Sequence, residues 1–458
     1  MTSVAWCTPF SRPSAIGQFS AQVVAAMRDA LGWDVDIFHP EGAGGRTVPD
    51  GGLPLGTDAE QVLGEYDHVV YNIGDNPANH AAQMRLLRTV PGLVLLHDVS
   101  LIHLLLPDLV HGPEDAARAE FVRWYGPEAA VASAALRSDE LKFVQDPENI
   151  RRYPMIEPVL EHAPAVVTHS QWAAGRVRDA YAGDVWVLPL PREPLQNPQP
   201  SDLPGIDDRL IILQAGVPNR NKHIDKIIEA FDDADIADRA QLVICGYGTD
   251  EAFEALRELV AERSLQDSVH LLGRVEDDVM DELRRRALVS TVLRFPFGEA
   301  ASAALLDAMS YGHAVLTVDG GHYAEVPDET VRRISVPPIA ADIAPVLRRW
   351  IDDPDSAREL GSRAAHFVAT EHTAEIYGRG IAEILQQSGS FFRRRDLVDM
   401  LSRTLHSLGF GPQDPITSSV AGDAAELFSG EPVVAAEIYP PGSTVSTEPR
   451  AEAAPRST

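Results

Sequence analysis

Two series of short apolar runs, each alternating with amphipathic stretches and separated by one proline-rich segment, constrain this 458-residue chain more than any other feature. A short apolar run followed by a helical period reads as a βα unit, and consecutive units build a parallel sheet. The first series predicts strands at Ser3–Cys7, Asp34–Phe38, His68–Ile73, Leu93–His97, Ala165–His169 and Val185–Leu188. The second predicts them at Leu210–Gln214, Leu242–Cys245, Val269–Leu272, Leu288–Leu293, Ala314–Val318 and Arg333–Val336. Helical stretches such as Ile224–Asp232, Glu251–Arg263 and Ala303–Tyr311 fall between the latter. Each series therefore predicts a Rossmann-like, doubly wound α/β sheet, which takes its ligands at the carboxyl ends of its strands. Two such sheets facing across a cleft are the expected architecture.

The boundaries follow from composition shifts. Residues 1–190 form the expected first domain, interrupted by a charged helical stretch from Pro113 to His162. Residues 191–206, rich in proline and without hydrophobic period, read as a linker, and residues 207–371 as the second domain. A helix at residues 372–388, a helical extension at 389–429 and a disordered tail at 430–458, rich in Pro, Ala, Glu and Ser, complete the chain.

A net charge of −29 argues against nucleic acid as a partner, because binding a phosphate backbone needs a basic face. An anionic small ligand then requires a local positive pocket, and lysine is scarce: only Lys142, Lys222 and Lys226 occur. Cys7 and Cys245 sit in apolar segments and read as reduced core thiols. No secretory signal and no membrane-length apolar run is present, so a cytoplasmic protein is expected. Arg393, Arg394 and Arg395 leave peripheral membrane contact open.

The segment RFPFGEAASAALLDAMSYG, Arg294 to Gly312, carries the most specific signal. A strand ends, a Pro/Gly turn follows, and a helix begins near Ser302. The first amides of a helix lack intrahelical partners and offer a site for a diphosphate. Gly298, Ser302, Ala303 and Ala304 are small enough for close approach to that backbone. Glu299 and Asp307, eight positions apart, can each accept hydrogen bonds from vicinal hydroxyls. QAGVPNRNKHIDKIIEAF, Gln214 to Phe231, places Lys222 and Arg220 in the loop after the first strand of the second series. TPFSRPSAIGQFSAQVVAAM carries Gly17 from strand to helix in the first series, and LLHDVSLIHLLLP places His97 at a strand end.

Together these stretches resemble retaining glycosyltransferase family 4, of GT-B fold, over roughly residues 5 to 385. The family signature is Glu, seven residues, Glu, then Ala-Met-x-x-Gly; here it reads Glu299, seven residues, Asp307, then Ala308-Met309-Ser310-Tyr311-Gly312. The resemblance implies a metal-independent enzyme without cofactor, with a nucleotide-diphosphate sugar as donor and an acceptor hydroxyl of unidentified origin: glycan, lipid or small molecule. It implies that Glu299 contacts the transferred sugar, Asp307 the ribose, Lys222 the phosphates, and that His97 lies near the sugar with Gly17 against the phosphates. Two departures stand out. Asp307 is one methylene short of the family's glutamate, and Val217 occupies the family's arginine position, with Arg220 in the same loop as its expected substitute. A protein of this fold that binds sugar or nucleotide, or serves as a partner subunit, without turnover is the alternative reading.

GYG at Gly246–Gly248 lacks the third glycine of a dinucleotide fingerprint, and no His/Cys cluster has zinc spacing. No Gly-x-Ser-x-Gly elbow suggests a hydrolase.

Overall fold

The computed structural model describes residues 2–10, 14–40, 51–192, 201–203, 205–387, and, further on, 397, 400–405, 407–411 and 414–428. Most of the expected linker, the three arginines at 393–395 and the tail from 430 lie outside these residues. The chain divides into two compact units. The first comprises residues 1–134, 153–189 and 375–458, and the second residues 135–152 and 190–374.

The first unit contains a seven-stranded sheet. Its strands are β1 (Ser3–Cys7), β2 (Asp34–Pro40), β3 (Gly52–Leu55), β4 (His68–Ile73), β5 (Leu93–Leu96), β6 (Ala165–Thr168) and β7 (Asp184–Val187). They run β3-β2-β1-β4-β5-β6-β7, every neighbouring pair parallel. Strands buried on both faces read as continuous apolar runs, which is why all but β3 are visible in the sequence. Helix α1 (Ala15–Leu31) starts at Ser14, whose side chain accepts from the Gly17 amide, and ends at Gly32, whose φ of 63° closes the last turn. The helix Ala374–Gln386 belongs almost wholly to this unit: Tyr377 meets Phe19 edge-on at 5.0 Å, and Ile381 and Ile384 are fully buried.

The second unit contains six parallel strands: β8 (Leu210–Ala215), β9 (Ala240–Cys245), β10 (Val269–Gly273), β11 (Ala287–Val292), β12 (Ala314–Val318) and β13 (Arg332–Ile334). Their order is β10-β9-β8-β11-β12-β13. The order reverses direction between β8 and β11, so the carboxyl ends of those two strands flank the switch point where such sheets bind ligands. Helix α2 (Ile224–Asp233) buries Ile224, Ile227, Ile228 and Phe231 at i, i+3, i+4 and i+7 spacing. The helical segment 135–152, read from sequence as part of the first domain, groups with this second unit.

Cys7 and Cys245 are free and buried, as expected, and burial pushes the Cys245 thiol up to about 11. Among the described residues no helix is long and apolar enough to cross a membrane.

Candidate active site

The site is built from the two loops that leave β8 and β11. After β8 the chain turns through Gly216, at φ 103°, into a 3-10 turn, Arg220–Lys222. The backbone angle favours glycine there, and a Cβ would lie 2.3 Å from the Lys222 Nζ, so any side chain would push the end of the lysine aside. The second loop is pinned to the first. The Phe295 amide donates to the Asn221 carbonyl at 2.9 Å, and His223 Nε2 lies 3.0 Å from the Phe295 carbonyl. Lys222 and Arg294, the residues next to those links, are thereby held as one cationic feature at the switch point.

Lys222 is 6% exposed, and its Nζ reaches the Ala215 carbonyl only at 3.4 Å. Burial and the neighbouring Arg294 charge push its pKa down to about 7, against a weaker opposing pull from Glu299. The protein thus holds a lysine that half gives up its proton near neutrality, beside a permanently charged arginine. An incoming anion would reverse that balance.

Arg294 extends from the end of β11 and lies 3.1 Å from Glu299 across the turn containing the cis Phe295–Pro296 bond. Glu299 is buried, which on its own raises its pKa, yet Arg294, His322 and hydrogen bonds from Tyr323 and Ser302 outweigh burial and lower it. It is therefore an ionised acceptor at neutral pH, suited to receiving hydroxyl protons in hydrogen bonds and unsuited to donating one. The Tyr323 hydroxyl reaches the same carboxylate from the 3-10 turn Gly321–Glu325.

Helix α3 (Ala303–Ser310) begins after Ser302, whose hydroxyl accepts from the Leu305 amide at 3.4 Å. Ala303 and Ala304 occupy its first turn, where the helix supplies no carbonyl to their amides. Ala303, Ala304 and Asp307 are half-buried along one stripe, while Leu305, Leu306, Ala308 and Met309 face the core. Gly298 is likewise half-buried in the turn before the helix. The helix closes at Gly312 with φ 77°, and Gly361 packs so closely that its Cβ would lie 1.8 Å from the Gly312 carbonyl oxygen.

Asp307 is not open to a ligand as it stands. Arg192 donates to its Oδ1 from Nε at 2.9 Å and from Nη2 at 2.7 Å, and Arg284 Nε lies 2.8 Å from Oδ2. Arg284 also holds Asp281 at 3.1 Å.

Arg220 departs from the sequence expectation. It is exposed, and its Nη1 donates to Gln145 at 3.3 Å, beside Asp139, Lys142 and Asp146 in a shallow recess. The place beside Lys222 is taken by Arg294 instead. The reason is local: two positions apart within one 3-10 turn, Arg220 and Lys222 point their side chains in different directions. In the sequence Arg294 reads as a strand end, but an arginine five positions before Glu299, flanking the same turn, is also a local signal for the site. Tyr323, Arg192 and Arg284 carry no such local signal.

In the first unit, Gly17 lies in the first turn of α1, at the helix entry, and its amide is spent on Ser14 at 3.1 Å. His97 is 8% exposed, with Nε2 2.9 Å from the Asn72 Oδ1 and Nδ1 3.1 Å from His169 Nε2. Burial, then His169 and His80, hold its pKa well below the ordinary histidine range, so it is neutral. Both ring nitrogens are thus committed inside the unit, and a hydrogen bond to a sugar would require one of them to be exchanged. His103 and Asp75 form a contact at the carboxyl end of β4, with Asp98 accepting from the Asp75 amide at 2.9 Å.

Comparison with known proteins agrees with this architecture. Residues 198–367 match the family model described as glycosyl transferases group 1. Alpha-D-kanosaminyltransferase of Streptomyces kanamyceticus is 26% identical over 190 residues, 40% of this chain and 47% of that protein. The matched region thus spans about half of that relative's length. Among solved structures, sucrose-phosphate synthase from Thermosynechococcus elongatus has a TM-score of 0.57 at 18% identity, covering 85% of this chain and 100% of that one. Anabaena HepE in complex with UDP and glucose has a TM-score of 0.57 at 14% identity, covering 84% and 100%. WaaG, a glycosyltransferase involved in lipopolysaccharide biosynthesis, has a TM-score of 0.55 at 16% identity, covering 83% and 99%. At these identities the likeness is one of fold, and the two parallel sheets are those of the GT-B class.

Proposed function

The chain belongs to the glycosyl transferases group 1 family, and from that premise we propose that it transfers a sugar from a nucleotide-diphosphate sugar to an acceptor hydroxyl. The observation that carries this reading is the cationic pair Lys222 and Arg294, fixed beside the ionised Glu299 at the switch point of the second sheet. The solved complexes of HepE contain UDP, which makes a uridine donor the first to try.

In this reading the donor diphosphate lies against Lys222, Arg294, the Gly298 turn and the amides from Ser302 to Ala304 at the start of α3. Arg294 takes the part that Arg220 was expected to play. Glu299 accepts from hydroxyls of the transferred sugar, and Asp307 from the ribose. The bond from the anomeric carbon to the phosphate oxygen breaks, and the acceptor oxygen bonds to that carbon. The acceptor proton passes to the departing phosphate, so no side chain need act as a base. Negative charge grows on the diphosphate as the bond breaks, so fixed cations stabilise the transition state more than the ground state. Attack on the face the leaving group vacates retains the anomeric configuration. Gly17 and His97 are assigned to the sugar and phosphate side as the family resemblance implies, and His97 then acts through a rearranged hydrogen bond.

The test is direct. UDP, GDP, ADP and dTDP sugars are offered with candidate acceptors without added metal, and the product anomer is read by NMR. Transfer with retained configuration supports the reading; an inverted product overturns the mechanism. Nucleotide binding without transfer or donor hydrolysis, unchanged by Glu299→Ala, would instead mark a binding protein of this fold.

A further inference from the structure

We propose that Arg192 is the resident occupant of the ribose subsite, and that it sets how strongly this chain selects nucleotides by their ribose hydroxyls. The inference rests on the donor-site reading above. Its starting point is the geometry at Asp307. A carboxylate oxygen has two lone pairs, and both Arg192 contacts, at 2.9 and 2.7 Å, fall on the one oxygen Oδ1. Arg284 faces the other oxygen at 2.8 Å. The three side chains are only 13%, 14% and 22% exposed for Arg192, Asp307 and Arg284, so water does not compete freely for them. A vicinal diol that gives one hydrogen bond to each carboxylate oxygen would need a lone pair of Oδ1 that the guanidinium now fills.

The two arginines are not equivalent. Arg284 comes from the end of the helix Asp277–Arg286, also holds Asp281, and lies with its guanidinium 5.9 Å from the Tyr311 ring. Removing it would take the arginine from Asp281 as well as one of the two from Asp307. Arg192 comes from an extended stretch, where its own amide donates to the His372 carbonyl at 2.9 Å. His372 Nδ1 in turn lies 2.8 Å from the Leu190 carbonyl. The backbone of Arg192 is therefore anchored independently of its side chain. If the guanidinium leaves, Asp307 keeps Arg284 as its counter-ion, so the subsite stays charge-balanced. A ribose that displaces Arg192 leaves Asp307 paired with Arg284, whereas one that displaces Arg284 also takes the arginine from Asp281.

The consequence is a competition inside the subsite. Each ribose hydrogen bond to Asp307 is gained against a guanidinium bond lost, which flattens selectivity for the hydroxyls. The shorter reach of aspartate adds to this, because the carboxylate stays close to both arginines.

The experiment is a double-difference cycle by calorimetry on the full chain. UDP, GDP and ADP are each compared with their 2′,3′-dideoxy counterparts on wild type, Arg192→Met and Arg192→Lys. The expected result is that Arg192→Met tightens the ribonucleotide by about tenfold, the usual scale for releasing one charged hydrogen-bond partner, and leaves the dideoxy nucleotide within about twofold. Arg192→Lys, which keeps the charge but cannot make both contacts, should fall between. Circular dichroism of both variants checks that each is folded, and the lysine variant serves if the methionine one is not. Equal changes for ribo- and dideoxynucleotides, or weaker ribonucleotide binding in both variants, would overturn the proposal while Lys222-dependent binding to wild type left the donor site standing. If no nucleotide binds wild type or either variant, the donor-site reading fails and this inference fails with it.

Discussion

Raising the pH across neutrality should weaken nucleotide-sugar binding through Lys222 alone. The free protein holds this lysine near a pKa of about 7 because it is buried beside Arg294. A diphosphate placed against it supplies negative charge and favours the ammonium, so binding raises that pKa and draws a proton from solvent. The apparent dissociation constant is the intrinsic one divided by the fraction of protein already protonated. That fraction is about 0.9 at pH 6 and about 0.1 at pH 8 for a group titrating near 7, so affinity should fall about tenfold, or about 1.4 kcal/mol. A further tenfold loss should follow by about pH 9, by the same relation. A nucleotide sugar is the right probe, because its bridging phosphates carry no proton to lose in this range. Calorimetry in buffers of different ionisation enthalpy should show uptake of about 0.9 proton per ligand at pH 8. Lys222→Arg keeps a charge at every pH tested and should bind with a flat profile. A flat profile in wild type, with no proton uptake, would refute the assignment of Lys222 to the diphosphate.

Lys222→Met should stabilise the ligand-free protein while abolishing its response to nucleotide. The native pKa lies below the ordinary lysine value of 10.5, so the unfolded chain binds the extra proton and the native state is penalised at pH 7. The penalty has an upper bound of about 4 kcal/mol and fades as pH rises from about 7 to about 10.5, which urea unfolding at two pH values would reveal. Glu299→Gln should lower kcat by about 100-fold or more while nucleoside diphosphate affinity at pH 6 stays within about threefold, as steady-state kinetics and calorimetry would separate. The same variant removes an attraction that holds the Lys222 proton, so the fall in affinity with pH should begin at lower pH than in wild type. Gly216→Ala sets a methyl 2.3 Å from the Lys222 Nζ at a φ of 103°, and should cost about 1–2 kcal/mol of stability together with most nucleotide affinity. A thermal-shift titration reads both effects.

Much of the fold was legible because parallel strands buried on both faces leave apolar runs that stand out in any acid-rich sequence. The edge strand Gly52–Leu55 was not, since it contains Pro54 and exposes Leu53, the marks of an edge rather than of a core strand. Glu299 and Lys222 could be singled out because their roles depend on position relative to a strand end and a helix start, which are local properties. Arg192 meets Asp307 across 115 residues and His97 meets His169 across 72, and no local period encodes such partners. Arg220 shows the opposite limit. Its distance along the chain suggested the site, but the 3-10 turn decided its direction.

The helix Ala374–Gln386 has a consequence for how the molecule is made. All seven strands of the first sheet have been synthesised once Val187 is added, yet Tyr377 has still to reach Phe19, and Gly380 to pack against Leu188. The second sheet is translated in the interval. A nascent chain therefore carries an uncovered apolar strip on its first unit until the far end of the second has emerged. The same reasoning governs dissection: a fragment cut at the proline-rich stretch would contain every strand of the first sheet but lack its last covering helix. Such a fragment should be sticky, and supplying the helix in trans as a peptide should restore it.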